Sequence, residues 1–359
     1  MQPPLRSKQQ IRRLFYRCLC FAALALLIFF ENGFAQPKNS YIAVNTLIAR
    51  PLAMGGAFLA VDDDLAASLY NPANLGGGSK TRAFSFQLFL NPLTPGLALA
   101  RREDFYNHST SASAQAFATL GLLIKGLTLR AGPFEVGAIL AEQTTNEIAI
   151  AASDLFEVND YLDNQYSVLA LRMRLAERVA LGGSLGLYYQ SLARKQREWQ
   201  LRASYGITIA PWPNVLLGVS YLTMPVTPNG GYRNHPERFV NGSVNIGMSF
   251  RPYPGTIIAA DIRNLVEDEN KNEMVREPHF GIEQNLFSVL ALRGGAFWKS
   301  EDERLAYTLG FGLIDSAKLL LGNPRGALPN WLLNYGAVVE KDNAGQRRWI
   351  HALTVGIRI

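Results

Sequence analysis

Chemistry in this 359-residue sequence could come from a set of charged residues at alternating positions and from four scattered histidines. Period-two alternation puts Arg172, Arg174, Gln190, Arg202, Asp261, Glu283, Arg293 and Arg358 on the polar side of their segments. An arginine in such a place can hold a carboxylate by two parallel hydrogen bonds. Arg172, Arg202 and Arg293 are therefore candidate binding residues for an amphipathic anion. The simpler reading is internal: these arginines pair with Asp62 to Asp64, or with Asp261 and Glu283, and fix another part of the chain in place. His108, His235, His279 and His351 lack metal-ligand spacing, and no serine stands in a nucleophile-elbow motif. A lipid hydrolase would need a nucleophile with a base in reach. No enzyme activity, catalytic residue, metal or cofactor is expected.

The acidic run belongs to a stretch unlike the rest of the chain, Arg50 to Leu75, RPLAMGGAFLAVDDDLAASLYNPANL. It does not alternate, and it is too small and too rich in Gly, Ala and Asp to form a helical core. Gly55 and Gly56 permit close backbone approach or positive φ. Asp62, Asp63 and Asp64 can cap a short helix through Leu65, Ala66 and Leu69. Asn71-Pro72 repeats the logic, with Asn as N-cap and Pro at the first helical position, and Gly76 to Gly78 end the segment. Met54, Phe58, Leu59, Leu69 and Tyr70 either line a hydrophobic pocket or pack the segment against its surroundings. The stretch reads as a plug inside something that the rest of the chain builds.

Ahead of it lies a leader. Arg6, Lys8, Arg12, Arg13 and Arg17 precede an apolar run of thirteen residues, Cys18 to Phe30, where a spanning helix needs about 20. Gly33 and Ala35 then place small residues at −3 and −1 of a cleavage site. Without residues 1–35 the chain keeps 30 basic and 28 acidic residues, a net of +2 against +6 for the whole. The basic character is therefore mostly the leader's, and nucleic acid is not an expected partner. Both cysteines lie in the leader, so a disulfide framework is excluded from the mature chain.

From Ala83 onward the period is two. Between Val179 and Gln190, Val179, Leu181, Gly183, Leu185, Leu187 and Tyr189 oppose Ala180, Gly182, Ser184, Gly186, Tyr188 and Gln190. Trp199 to Ile209 repeats the pattern. Strands are expected near 83–90, 114–124, 127–142, 165–175, 179–190, 199–210, 215–222, 239–250, 256–262, 279–286, 289–298, 304–313, 332–340 and 348–359. Links alternate mostly short and long, the long ones including 91–113, 143–164, 223–238 and 263–278; the link 314–331 breaks the pattern. The last segment, Trp349 to Ile359, alternates to its end, as a strand closing a barrel in lipid must. About fourteen strands, short turns on one side and no spanning helix predict an all-β transmembrane antiparallel barrel. The expected organisation is a signal peptide over 1–35, a plug over 36–82 and the barrel over 83–359.

The stretch resembles the N-terminal hatch of the FadL-type family of long-chain fatty-acid transporters of the outer membrane, and more closely that of the related PorV/PorQ-type family. Arg50, Met54-Gly55-Gly56-Ala57, Ala60, Asp62-Asp63-Asp64 and Asn71-Pro72-Ala73 carry the resemblance, with Gly281-Ile282-Glu283 and Leu292-Arg293-Gly294-Gly295 similar to a PorV-type hairpin. The resemblance implies a fourteen-stranded barrel plugged by its N-terminus, and a hatch motif at Arg50, Gly55, Gly56, Asp62, Asp63, Asn71, Pro72 and Ala73. It implies a hydrophobic small molecule, a fatty acid among the candidates, bound near the hatch and released sideways into the membrane. PorV-type members serve protein export, which makes secretion-system proteins the alternative partners. Outer-membrane lipid around the wall, and the barrel-assembly machinery at the C-terminal strand, complete the expected partners.

Overall fold

Alternation in sequence becomes a two-faced wall. Along β13 (Arg304–Leu313), Ala306, Thr308, Gly310 and Gly312 are buried inside, while Leu305, Tyr307, Leu309 and Phe311 are exposed outside. Along β7 (Gln196–Trp212), Ser204, Gly206 and Thr208 face in; Trp199, Leu201, Tyr205, Ile207 and Ile209 face out. Apolar residues outside and polar ones inside invert a water-soluble sheet and suit a wall facing lipid. The computed structural model describes residues 40–43, 46–62, 65–76, 84–100, 111–143, 164–192, 196–225, 240–268, 273–286, 289–299, 303–313, 330–341 and 347–358.

Fourteen strands close an antiparallel barrel in which each pairs with its sequence neighbour. They are β2 (Phe84–Leu90), β3 (Ile124–Ala131), β4 (Phe134–Gln143), β5 (Asn164–Ala176), β6 (Val179–Leu192), β7, β8 (Val215–Pro225), β9 (Val240–Phe250), β10 (Thr256–Asp268), β11 (Glu273–Leu286), β12 (Leu290–Lys299), β13, β14 (Asn330–Lys341) and β15 (Arg347–Arg358). The turns 132–133, 177–178, 213–214 and 251–255 share one end of the barrel, and exposed Phe134, Trp212, Tyr253 and Trp331 ring it. Trp199, Trp298, Tyr205 and Tyr307 are exposed toward the other end, so aromatic belts flank an aliphatic middle, as at two membrane interfaces.

The expected count of fourteen holds through two errors that cancel. Residues 114–124 are not a strand: Ala112–Leu123 is a helix, because its Ala, Leu and Gln favour helix more than its weak alternation favours sheet. Residues 127–142 are two strands, β3 and β4, joined at Gly132-Pro133, where Gly132 takes φ +58°. The expected long link 263–278 is also wrong. A bulge after Arg263, with Asn264 at φ +54°, interrupts alternation without ending β10, and only 269–272 separate it from β11. The leader, His108, His235, Asp63, Asp64, Gly77, Gly78 and the link 314–329 lie outside the described residues, as do the side chains of Gln190 and Arg358.

Closure is uneven. β14 and β15 share twelve register pairs, from Asn330↔Arg358 to Lys341↔Arg347. β15 meets β2 only at Ile357↔Leu90 and Arg358↔Phe89. β2 ends there, β3 begins at Ile124, and between them lie helices α2 (Leu93–Ala100) and α3 (Ala112–Leu123), preceded by an Asn91 cap whose Oδ1 accepts from Leu93 N at 3.0 Å. Residues 347–356 of β15 therefore have no β2 alongside. A short strand, β1 (Ser40–Ala43), lies there instead, parallel to β15 from Ser40↔Trp349 to Ala43↔Ala352.

Candidate functional site

The stretch that fitted no strand fills the lumen. Residues 49–53 form a one-turn helix, α1 (Ala49–Ala53), that Gly55 and Gly56 end at φ +62° and +72°. A 3-10 turn follows at Leu65–Leu69, and a second at Pro72–Asn74. Asn71 caps the second through Oδ1, which accepts from Ala73 N at 3.0 Å, with Pro72 at the first helical position as the sequence predicts. Met54, Phe58, Leu59, Leu65 and Leu75 are fully buried, and Leu69 and Tyr70 nearly so.

A loop buried this deeply must satisfy its backbone from elsewhere, and the barrel wall does so. Asp261 Oδ2 accepts from Phe58 N (2.7 Å) and Leu59 N (3.0 Å). Gly55 N donates to Thr308 Oγ1 at 2.8 Å, and Thr308 donates to Ala53 O at 3.0 Å. His279 Nδ1 lies 2.6 Å from Gly55 O; a carbonyl only accepts, so that nitrogen carries the hydrogen. Arg263 donates to Gly56 O and lies 4.9 Å over the Tyr70 ring. Ser249 donates to Ala60 O (2.5 Å), Ser220 to Tyr70 O (3.0 Å), and Arg172 to Leu75 O (2.7 Å).

Charge pairs add anchors. Arg50 grips Glu283 with two bonds, 2.8 and 2.9 Å, and Arg293 Nε reaches the same carboxylate at 2.6 Å. Arg293 also donates to Asn334 Oδ1 at 2.9 Å. Asp62 pairs with Arg251 at 3.0 Å, an arginine the sequence reading did not single out. Arg172 and Arg174 both pair with Glu135 on β4. Arg202 is exposed, beyond Ser204 on the inward face of β7. Two of the three candidate anion-binding arginines thus spend their guanidinium groups on internal contacts.

Glycines let the plug lie directly on the backbone of the wall. A Cβ at Gly336 or Gly310 would come within 3.0 Å of Ala49 or Ala53; at Gly295 and Gly281, of Gly55 and Met54; at Gly247 and Gly218, of Leu59; at Gly206 and Gly182, of Asn71 and Ala73; at Gly137, of Leu75. The order is reversed between the two partners. Early plug residues meet late strands and late plug residues meet early ones, so the plug winds round the lumen against the sense of the chain.

Sequence reasoning passed over Arg130, Glu135, Lys125, Glu142, Arg263 and the buried role of His279. It also missed an apolar stripe on the inner wall. Tyr166 and Tyr188 stack at 5.4 Å, and with Val168, Ile139 and Phe89 they join Phe58, Tyr70, Ile48 and Leu332 in one cluster. The available signal was the inward phase of β5: Arg172 marks it as the lumen side, and the same phase holds Tyr166, Val168 and Ala170. His351 sits half-buried on the outer side, bonded to Tyr335 Oη at 2.8 Å.

No family model matches the sequence, and no curated protein matches it. Among solved structures the chain is similar to the Ralstonia pickettii toluene transporter TbuX, at 14% identity over 88% of this chain and 98% of that one, with a TM-score of 0.47. It is similar to the Pseudomonas putida toluene transporter TodX at 12% identity, over 89% and 98% of the two chains, with a TM-score of 0.47. A mutant Rh. blastica porin matches at 11% identity over 65% and 75%, with a TM-score of 0.32.

Proposed function

We propose that the chain is an outer-membrane transporter of hydrophobic small molecules, with residues 1–35 removed on export and residues 36–82 forming its hatch. The short-turn end is then periplasmic and the opposite end faces outward. The observation that carries this reading is the pairing of a tightly packed plug with an apolar inner stripe. The plug obstructs an axial water path, which argues against a general porin. The stripe from Tyr188 and Tyr166 through Ile139 to Phe89, buried against the plug, is an apolar track that ends where β2 and β3 are short. A hydrophobe bound along it would leave sideways into lipid. Met54 and Leu59 press on wall glycines and serve packing in this reading; Phe58 and Tyr70 belong to the stripe.

The test pairs ligand with uptake. Purified protein should retain a lipid-like compound detectable by mass spectrometry, and Val168→Asp should abolish both retention and uptake while the barrel still folds. Retention and uptake unchanged in Val168→Asp would sink the proposal. The accessory role in secretion rests on the PorV-type likeness of the hatch, and crosslinking in secreting cells that captures exported proteins would favour it instead.

A further inference from the structure

Where β14 and β15 meet at the long-link end, the wall carries charge on both faces. On the inner face, Glu340 of β14 takes Lys299 of β12 at 2.8 Å. On the outer face, Lys341 and Arg347 end the β14–β15 ladder as directly opposed register partners. Both side chains are exposed and point away from the lumen, in phase with Trp331 and Trp349. Like charges directly opposite each other in a ladder are unfavourable. No carboxylate among the described residues pairs with either cation. Arg304 of β13 brings a further cation to this corner, since its Nη1 donates to Lys341 O at 2.7 Å.

Height places the pair among lipid headgroups. Trp331 belongs to the aromatic ring at the short-turn end, and Lys341 lies on the same face at the other end of the same strand. At about 3.3 Å per residue and a tilt of about 40°, the two stand roughly 25 Å apart along the membrane normal. That is the height of the apolar band of such a barrel. Just beneath the pair, the register lines up Tyr307, Val339 and Trp349 across β13, β14 and β15. Tyr307 is 59% exposed. The Trp349 and His351 rings are parallel within 4° at 6.0 Å. Exposed Leu309 and Phe311 continue the face downward on β13. Cations over an aromatic row over an aliphatic wall follow the order of groups in a phosphorylated lipid, read from head to tail.

We infer that Lys341 and Arg347 bind the phosphate of a phosphorylated, acylated lipid of the outer leaflet, whose chains lie along Tyr307, Trp349 and Phe311. Arg347 can hold two phosphate oxygens side by side, with Lys341 as a point charge next to it. A phosphate between them turns one repulsion into two attractions. The acid of this corner, Glu340, is turned to the lumen side and does not compete. The site rests on the outward orientation proposed above for the long-link end, and is independent of what passes the lumen.

The experiment titrates the whole exported protein, purified in detergent, with diphosphoryl lipid A and reads bound lipid by native mass spectrometry. Lys341→Gln with Arg347→Gln should weaken binding roughly thirtyfold, about fivefold for each cation. Both side chains are exposed, so the double variant should keep the heat-modifiable gel shift of the parent. Binding unchanged in the double variant, or absent from the parent, overturns the site. Arg276→Gln removes an exposed cation of β11 and should leave binding as it was; an equal loss there means diffuse attraction and overturns the site. Dephosphorylated lipid A should bind the parent as weakly as diphosphoryl lipid A binds the double variant, and equal binding overturns the role of phosphate. Inorganic phosphate at the same concentration should not displace the lipid; displacement overturns the role of the aromatic row. Orientation is read separately. Lys341→Cys should react with a membrane-impermeant maleimide on intact cells, and reaction only after the cells are opened overturns the orientation while the binding arm still judges the phosphate contact.

Discussion

Glu283 is the most loaded anchor of the plug, and removing it makes a sharp prediction. Its carboxylate holds Arg50 from the plug at 2.8 and 2.9 Å and Arg293 from the wall at 2.6 Å, with all three side chains at or below 11% exposure. Glu283→Ala leaves two buried guanidinium groups facing each other. Breaking a buried pair this way costs about 3–5 kcal/mol. Arg293 keeps Asn334 at 2.9 Å, and Arg50 keeps the Phe58 ring at 5.3 Å, which argues for the lower end. A cost of about 3 kcal/mol shifts the docking equilibrium of the plug by roughly 150-fold. In planar bilayers the single variant should show large ion-conducting openings that the parent shows rarely. The triple variant Arg50→Met, Glu283→Leu, Arg293→Met should close again, because apolar replacement of a whole buried ion cluster is close to neutral. A single variant as quiet as the parent, or a triple variant as leaky as the single, would refute the reasoning.

Asn71→Ala removes a cap and strands the amide of Ala73, a loss of about 2 kcal/mol; hydrogen exchange at Ala73 should quicken by roughly thirtyfold, and exchange within a few-fold of the parent would count against the cap. Gly281→Ala should disrupt plug docking, because its Cβ would overlap the Met54 backbone; Gly294→Ala, where the nearest atom lies at 3.8 Å, should be tolerated, and the heat-modifiable gel shift of the folded barrel distinguishes them. Leu309→Arg puts a cation on the lipid face of β13 and should cost about 2–4 kcal/mol of folding free energy, measured by urea titration in vesicles; a loss below about 1 kcal/mol would mean that Leu309 does not face lipid.

What was legible in the sequence is what depends on local rules. The alternations of Val179–Gln190 and Trp199–Ile209 give the inner and outer faces directly, because a strand leaves a side chain no third direction. Asn71-Pro72 declares its cap because the motif is complete within four residues. What was illegible depends on partners far away in sequence. Nothing near Glu142 says that it will receive Thr46, and nothing near Glu135 says that three arginines surround it. Gly132-Pro133 was a readable turn signal overridden by apolar residues on either side. Asn264 hid the outer half of β10 because a bulge shifts the phase that alternation relies on.

The reversed winding of the plug bears on how the molecule is made. Bonds between plug and wall join residues 308 apart at Thr46–Thr354, 203 at Phe58–Asp261, 134 at Asn74–Thr208 and 97 at Leu75–Arg172. Thr46 also meets Glu142, 96 residues on, but its second partner, Thr354, is the last of these to be made, and from there the wait shortens toward the Leu75 end. Contacts this distant carry the loop-closure entropy that slows folding. Ordering of the plug should therefore run backwards along the chain, from the Leu75 end toward Thr46, and should finish only when the terminal strand arrives. A chain shortened at its C-terminus would be expected to keep the late half of the plug seated and leave the early half loose. Sealing of the lumen and completion of the wall become a single event.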